Sequence, residues 1–141
     1  MKIKYPLANS PIDKDDISYL IKWLETNPRL TMGPVTQEFE KKWANYIGTK
    51  NSVFVNSGSS ANTLMVYTAI VNGNLSVGDK VIVPSCGWVT SISPMIQFGL
   101  EPIMVDADKD DFGVDFEQVD KICEESEIKG IIIVHPLGVP V

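Results

Sequence analysis

The chain has 141 residues, 44% of them hydrophobic and 21% charged, which is the composition of a globular protein rather than a disordered one. Its net charge of −6 argues against nucleic acid or an anionic membrane surface as the main partner. One histidine and two cysteines argue against a structural zinc site, and thiols without an export signal predict a cytoplasmic protein.

Two amphipathic helices are predicted before residue 52. The first lies in DKDDISYLIKWLET and ends at Asn27. Its apolar side chains recur at helical spacing: Ile17, Leu20, Ile21 and Leu24. The second begins at Pro34 and ends at Gly48. Its predicted buried face consists of Val35, Phe39, Trp43 and Tyr46.

From residue 52 onward, predicted strands alternate with predicted helices. The strands are SVFVN, KVIVP, EPIMVD and KGIIIVHP, and the helices are SSANTLMVYTAIV, WVTSISPMIQFG and DFEQVDKICEES. In the first of these helices Ala61, Leu64, Met65 and Ala69 share a face, and Asp115 and Gln118 have capping-box spacing at the start of the last. The strands are continuous apolar runs, which favours a parallel sheet covered by helices on both faces, an α/β fold.

Ligands of parallel sheets bind beyond the carboxyl ends of the strands. Three loops are predicted at that edge, at residues 56–60, 84–88 and 135–138. The sequence stops at HPLGVPV, just after an apolar strand with no helix to cover it. We therefore expect the N-terminal piece of a longer protein, with a small complete α/β domain as the alternative.

The segment NSGSSAN predicts a turn between a strand and a helix. Such a turn presents free backbone N–H groups and the positive end of the helix to an anion. Gly58 would let a ligand approach closely, while Ser59 and Ser60 would add hydroxyl donors in the first helical turn. No lysine follows, so the segment is not a nucleotide P-loop. The alternative is an ordinary helix start at which Ser59 is the N-cap.

The segment PSCGWVTS places Trp88 at the same predicted edge. Its ring could stack on a flat heteroaromatic ligand, or it could cover the core. Thr90 and Ser91 are candidate pocket hydroxyls or plain helix residues, and Cys86 is predicted to be a small buried filler. His135 closes the last strand, where it could contact a ligand or simply cap the strand.

Taken together, the ordered segments LTMGPVTQEFEKKWANYIG, FVNSGSSANTL, GDKVIVPSCGWVTSISPMIQFGLEPIMVDAD and HPLG resemble the N-terminal part of the DegT/DnrJ/EryC1/StrS family. The resemblance implies a pyridoxal-phosphate (PLP) enzyme of fold type I that acts on a nucleotide-linked keto-sugar. It implies that residues 1–51 form an N-terminal helical segment with a substrate-entrance loop. Residues 52–141 would then be the first part of the truncated PLP-binding α/β domain.

The resemblance also implies roles for individual residues. Gly58, Ser59 and Ser60 would bind the PLP phosphate, Trp88 would stack on the pyridine ring, and Thr90 and Ser91 would line the cofactor pocket. Substrate contacts would come from Thr31 and Gly33 at the entrance loop. His135 is a further candidate for substrate contact because of its position at the end of the last predicted strand, and not because of the resemblance. Homodimers with shared active sites are expected, with a nucleotide-sugar and an amine donor as substrates and with no metal.

The Schiff-base lysine of the family is expected after HPLG, beyond the residues of this chain. None of the lysines present is a good substitute, so we assign no catalytic residue here. An aminotransferase of polysaccharide or deoxysugar synthesis is the leading expectation. In the related 3-dehydratases a histidine replaces that lysine, which makes a 3-dehydratase the first alternative. A non-catalytic fragment is the second.

Overall fold

The computed structural model describes residues 11–141, which form two compact units. One unit extends to Phe54, and the other runs from Val55 to Val141. The boundary predicted from the sequence lies between residues 51 and 52, three residues earlier.

The first unit contains helices α1 (Lys14–Glu25) and α2 (Pro34–Ile47). Asp13 caps α1, because its carboxylate accepts hydrogen bonds from the N–H groups of Asp15 and Asp16 at 2.8 and 3.0 Å. Gly48 ends α2 with a φ of 80°, a left-handed conformation that glycine adopts without steric cost. Both helices therefore lie where the sequence predicts them.

The predicted buried face of α2 is exposed, so that prediction is wrong for the described residues. Phe39 and Trp43 are 46% and 48% exposed, and Tyr46 is 81% exposed. The rings contact one another, with centroids 6.1 Å apart for Phe39 and Trp43 and 5.7 Å for Trp43 and Tyr46. Helical periodicity identifies the apolar side of a helix, but it does not supply the partner that would bury that side.

The strand predicted at SVFVN does not form. The N–H of Phe54 donates to the carboxylate of Glu40 at 2.8 Å, and the hydroxyl of Ser52 donates to the Glu40 carbonyl at 2.6 Å. These bonds hold the segment to α2 within the first unit. A strand needs backbone hydrogen bonds to a neighbouring strand, and an apolar run alone does not provide that neighbour.

The second unit begins with α3 (Gly58–Val71), β1 (Lys80–Pro84) and a short 3-10 helix (Val89–Ser91), followed by α4 (Ser93–Gln97) and β2 (Glu101–Val105). It continues with α5 (Phe116–Glu125), β3 (Ile128–Ile131) and a final 3-10 turn (Pro136–Gly138). The three strands are parallel in the order β2-β1-β3. The predicted α/β fold with a parallel sheet is confirmed.

The central strand β1 is covered on both faces. Val81 and Val83 pack with Val66 of α3 and Met95 of α4. Ile82, which points the other way because side chains alternate along a strand, packs with a second cluster: Val105, Val114 and Val119. Helices α3 and α4 thus cover one face and α5 covers the other.

Three elements differ in detail from the sequence prediction. In α3 the core residue is Val66, while Leu64 and Met65 are 41% and 54% exposed, because this helix is apolar on every side and its pattern selects no face. The helix predicted at residues 88–99 is broken into two short pieces near Pro94. The last strand is shorter than predicted and ends at Ile131.

The last helix, α5, begins at the predicted cap. The Asp115 carboxylate accepts hydrogen bonds from the N–H groups of Glu117 and Gln118 at 2.9 and 3.2 Å. Gln118 does not complete a capping box, because its Oε1 accepts from the N–H of Asp106 at 3.2 Å instead. This bond ties α5 to the carboxyl end of β2.

Candidate functional site

The start of α3 is fixed by Ser57. Its Oγ accepts a hydrogen bond from the N–H of Ser60 at 3.2 Å, which makes Ser57 the N-cap and places Gly58, Ser59 and Ser60 in the first helical turn. The alternative in which Ser59 is the N-cap is therefore wrong. The two serines occupy the helical positions that the sequence predicts.

The first turn of α3 offers free hydrogen-bond donors. Within residues 11–141, no atom accepts from the N–H of Gly58 or Ser59, and the Ser59 hydroxyl makes no hydrogen bond. The turn contains no acidic residue. The helix dipole adds partial positive charge at this end. Backbone donors, a hydroxyl and positive potential together form an environment for an anion.

Ser60 and Gly58 contribute differently. The Ser60 hydroxyl donates to Oδ1 of Asn56 at 2.6 Å, so it fixes the turn rather than standing free. No protein atom lies within 4 Å of the position that a Cβ of residue 58 would take. The space beside Gly58 is therefore open to a ligand, and packing within the protein does not require glycine there.

Trp88 lies on the neighbouring loop. The side chain is 73% exposed, so the core alternative is wrong. Thr90 and Ser91 are half-buried in the 3-10 helix that follows. The side-chain amide of Asn62 in α3 donates to the Thr90 carbonyl at 3.2 Å. This bond joins the N-terminal half of α3 to the 3-10 helix that follows Trp88.

A groove of about 570 Å³ runs along α3 from its first turn. Ser59, Ser60 and Thr63 supply its polar lining, and the remaining wall is apolar: Val55, Leu64, Tyr67 and Phe98. Trp88 does not line this groove. The first turn of α3 therefore lies at one end of the groove, and the Trp88 ring lies outside it.

A further polar pair lies at the carboxyl ends of β1 and β2. The N–H of Ser85 donates to the Val105 carbonyl at 2.9 Å, and its hydroxyl lies 3.5 Å from Oδ1 of Asp106. Residues that follow neighbouring parallel strands lie side by side. A prediction that β1 pairs with β2 would therefore have placed Asp106 next to Ser85. Nothing in the sequence alone marks Asn62 as part of the site.

His135 has a different environment from the one predicted. The side chain is exposed, and its Nδ1 accepts a hydrogen bond from the N–H of Val141 at 3.0 Å. This bond places the proton of the neutral ring on Nε2. No hydrogen bond within residues 11–141 joins His135 to the start of α3 or to the Trp88 loop. Its substrate contact stays a prediction.

Thr31 and Gly33 belong to the first unit. Thr31 is exposed, whereas Gly33 is buried as the N-cap of α2. A Cβ on residue 33 would lie 2.7 Å from the carbonyl oxygen of Arg29. Close backbone packing thus explains this glycine without a substrate, and the predicted role of both residues in substrate binding stays a prediction.

We expect Gly33→Ala to lower the free energy of unfolding by about 1–3 kcal/mol, because the new methyl group collides with a backbone atom. The φ of −83° is allowed for alanine, so overlap with Arg29 is the sole source of strain. Thr31→Ala, at an exposed neighbour, should change stability by no more than about 0.5 kcal/mol. Urea denaturation measures both, and equal midpoints for the two variants would contradict the steric explanation.

The charged groups of the described residues form few pairs. Nζ of Lys42 lies 2.7 Å from the carboxylate of Glu38 on exposed α2. The hydrogen bond from Lys42 lowers the pKa of Glu38, and the same bond raises the pKa of Lys42. Lys129 also pairs with Glu127, which raises the pKa of Lys129. Residues 11–141 contain no cluster of metal-ligating side chains and no helix that could span a membrane.

Comparison with known proteins identifies relatives along almost the whole chain. The chain is 36% identical over 140 residues to the GDP-4-keto-6-deoxy-D-mannose 3-dehydratase of Yersinia pseudotuberculosis, covering 98% of this chain and 35% of the relative. It is 29% identical over 132 residues to the GDP-perosamine synthase of Caulobacter vibrioides, covering 94% of this chain and 34% of the relative. The chain thus spans about a third of the length of these relatives.

Solved structures show the same similarity in three dimensions. The Escherichia coli GDP-4-keto-6-deoxy-D-mannose-3-dehydratase with bound hydrated PLP superposes with a TM-score of 0.77 at 33% identity. The match covers 86% of this chain and 31% of that one. The fold is therefore that of fold type I PLP enzymes, of which this chain covers about a third. Residues 11–141 match the model of the DegT/DnrJ/EryC1/StrS aminotransferase family, and the chain belongs to that family.

Proposed function

We propose that this chain is the N-terminal part of a PLP-dependent enzyme that acts on a nucleotide-linked keto-sugar. The observation that carries the proposal is the first turn of α3 with its free N–H groups at Gly58 and Ser59. The bond from Asn62 to Thr90 joins the same helix to the Trp88 loop. Relatives solved with PLP support the cofactor. The name of the relative GDP-4-keto-6-deoxy-D-mannose 3-dehydratase gives the class of substrate.

The residues present fit the cofactor. The N–H groups of Gly58 and Ser59 and the Ser59 hydroxyl would donate to the phosphate, and Ser60 would hold the turn in place. Trp88 would stack on the pyridine ring, with Thr90 and Ser91 lining the pocket. Bound PLP supplies an electron sink for the charge that develops on the substrate. These residues would bind and orient it.

The chain contributes binding groups and no covalent partner in this proposal. Lys80 lies at the amino end of β1, where its Nζ contacts Oγ of Ser126 at 3.3 Å. Ligands bind at the opposite, carboxyl edge of a parallel sheet. Lys80 is therefore not proposed to react with PLP or with the substrate.

Two reactions are candidates. Amino transfer is the expectation from the sequence, and it is the activity that the description of the matched family names. Dehydration at C3 is favoured by sequence identity, which is 36% to the 3-dehydratase of Yersinia pseudotuberculosis and 29% to GDP-perosamine synthase. A non-catalytic chain retained for assembly or phosphate binding is the third candidate, and conversion of the keto-sugar by the full protein would argue against it.

A product assay separates the two reactions. The full protein is incubated with PLP, glutamate and GDP-4-keto-6-deoxy-D-mannose, and the products are identified by mass spectrometry. Loss of the C3 hydroxyl identifies a dehydratase, whereas replacement of the keto oxygen by an amino group identifies an aminotransferase. A protein that fails to bind PLP, as followed by its absorbance, would contradict the proposal as a whole.

A homodimer, an amine donor and a cytoplasmic location are part of the same proposal. Cys86 and Cys123 are both free and exposed, which is consistent with a reducing compartment. The prediction that Cys86 is buried is therefore wrong. Sedimentation of the full protein would measure the oligomeric state, and a monomer would contradict the dimer.

A further inference from the structure

We propose that Asn62 is a positioning residue for Trp88. Its side-chain amide holds the loop that carries the Trp88 ring against the N-terminal half of α3. Three features of the second unit support this role: the missing backbone donor at Thr90, the anchoring of the loop at its other end, and the exposure of the ring.

The Thr90 carbonyl lacks the backbone donor that a continuous helix would provide. In an α-helix it would accept from the N–H of residue 94, but that residue is Pro94, which has no N–H. Within residues 11–141 the donor is instead the amide of Asn62, at 3.2 Å. Both residues are half-buried, so the bond is partly shielded from water. Asn62 thus replaces a hydrogen bond that proline removes.

The other end of the loop is anchored to the sheet. The N–H of Ser85 donates to the Val105 carbonyl at 2.9 Å. Between the two anchors, the Trp88 carbonyl accepts from the N–H of Ser91 at 2.9 Å. The loop is therefore fixed to β2 at its start and to α3 at its end.

The exposure of Trp88 makes these anchors important for its orientation. The ring is 73% exposed, so among residues 11–141 it has few packing contacts that could hold it. Its direction then depends on the backbone of the loop. Loss of the bond between Asn62 and Thr90 would free one end of that backbone and let the ring sample more orientations.

The bond between Asn62 and Thr90 also links the Trp88 loop to the helix whose first turn carries the free donors. Ser59 and Asn62 lie three residues apart on α3, about one helical turn. Asn62 therefore sets the position of the Trp88 loop relative to the free donors of Gly58 and Ser59. The consequence for PLP rests on the proposed function, whereas the effect on the ring does not.

The experiment uses the full protein labelled with 5-fluorotryptophan and ¹⁹F NMR. The Trp88 resonance is assigned by its loss in Trp88→Phe. In the cofactor-free protein, Asn62→Ala should narrow this resonance and shift it toward free 5-fluorotryptophan. Asn72→Ala is the matched control, since Asn72 is exposed at the other end of α3, and it should leave the resonance unchanged. In a PLP titration, Asn62→Ala should raise the dissociation constant about two- to tenfold.

An unchanged Trp88 resonance in Asn62→Ala would overturn the proposal. If that variant fails to fold, Asn62→Asp takes its place in the cofactor-free measurement, because it keeps the shape of the side chain and lacks the donor. The same shift expected there supports the proposal, and its absence overturns it. If the unsubstituted protein binds PLP with no change at Trp88, the proposed stacking of Trp88 on PLP is wrong, and if it does not bind PLP at all, the proposed function is wrong. In either case the cofactor-free comparison still decides the role of Asn62.

Discussion

Ser59→Glu should weaken PLP binding by roughly 30- to 700-fold, or about 2–4 kcal/mol, because it places a carboxylate beside the phosphate in a partly shielded site. The same change should raise the free energy of unfolding by about 0.3–1 kcal/mol, since a negative charge in the first turn interacts favourably with the helix dipole. The effects on binding and on stability therefore have opposite signs. PLP titration and urea denaturation of the full protein measure them.

Two controls separate charge from shape at this position. Ser59→Gln has nearly the size of glutamate without its charge, and it should weaken PLP binding less than Ser59→Glu does. Ser59→Ala should cost about 1–3 kcal/mol through loss of a hydrogen bond to a charged group. PLP affinity that is the same in Ser59→Glu and Ser59→Gln would remove the start of α3 as the phosphate site.

Ile82→Ala is expected to lower the free energy of unfolding by about 2–5 kcal/mol, because it leaves a cavity at the centre of the sheet. Ile82 is 0% exposed and packs with Val105, Val114 and Val119. The effect should appear as a lower urea midpoint.

Ile96→Ala is the matched control for this substitution, since it removes the same atoms from a side chain that is 63% exposed. We expect it to change the free energy of unfolding by no more than about 0.5 kcal/mol. Similar losses in the two variants would contradict the assignment of Ile82 to the core.

Prediction from sequence succeeded where the signal is local. Pro34 and Gly48 mark the ends of α2, and Asp115 marks the start of α5, because each of these residues acts on its own backbone or on that of its neighbours. Prediction from sequence failed where an element needs a hydrogen-bond partner from a distant part of the chain. The segment SVFVN has the composition of a strand, yet its Phe54 N–H is bound by Glu40, fourteen residues earlier.

The same difference between local signals and specific contacts is found in the candidate site. The motif NSGSSAN correctly predicts that Ser59 and Ser60 lie in a first helical turn, because the turn is built from adjacent residues. It does not show that Ser57 is the cap, or that the Ser60 hydroxyl bonds to Asn56 while that of Ser59 stays free. Several neighbouring serines and an asparagine can make these bonds, and only the folded geometry selects among them.

By itself, the sequence determined the α/β class, the ends of α2, the start of α5 and the family, because these depend on periodicity, on capping residues and on ordered motifs. The tertiary structure decided which sides of the helices are buried and how the Trp88 loop is held. The bond between Asn62 and Thr90 joins residues 28 positions apart. Such a contact depends on how the chain packs α3 against the 3-10 helix, and no local pattern specifies that packing.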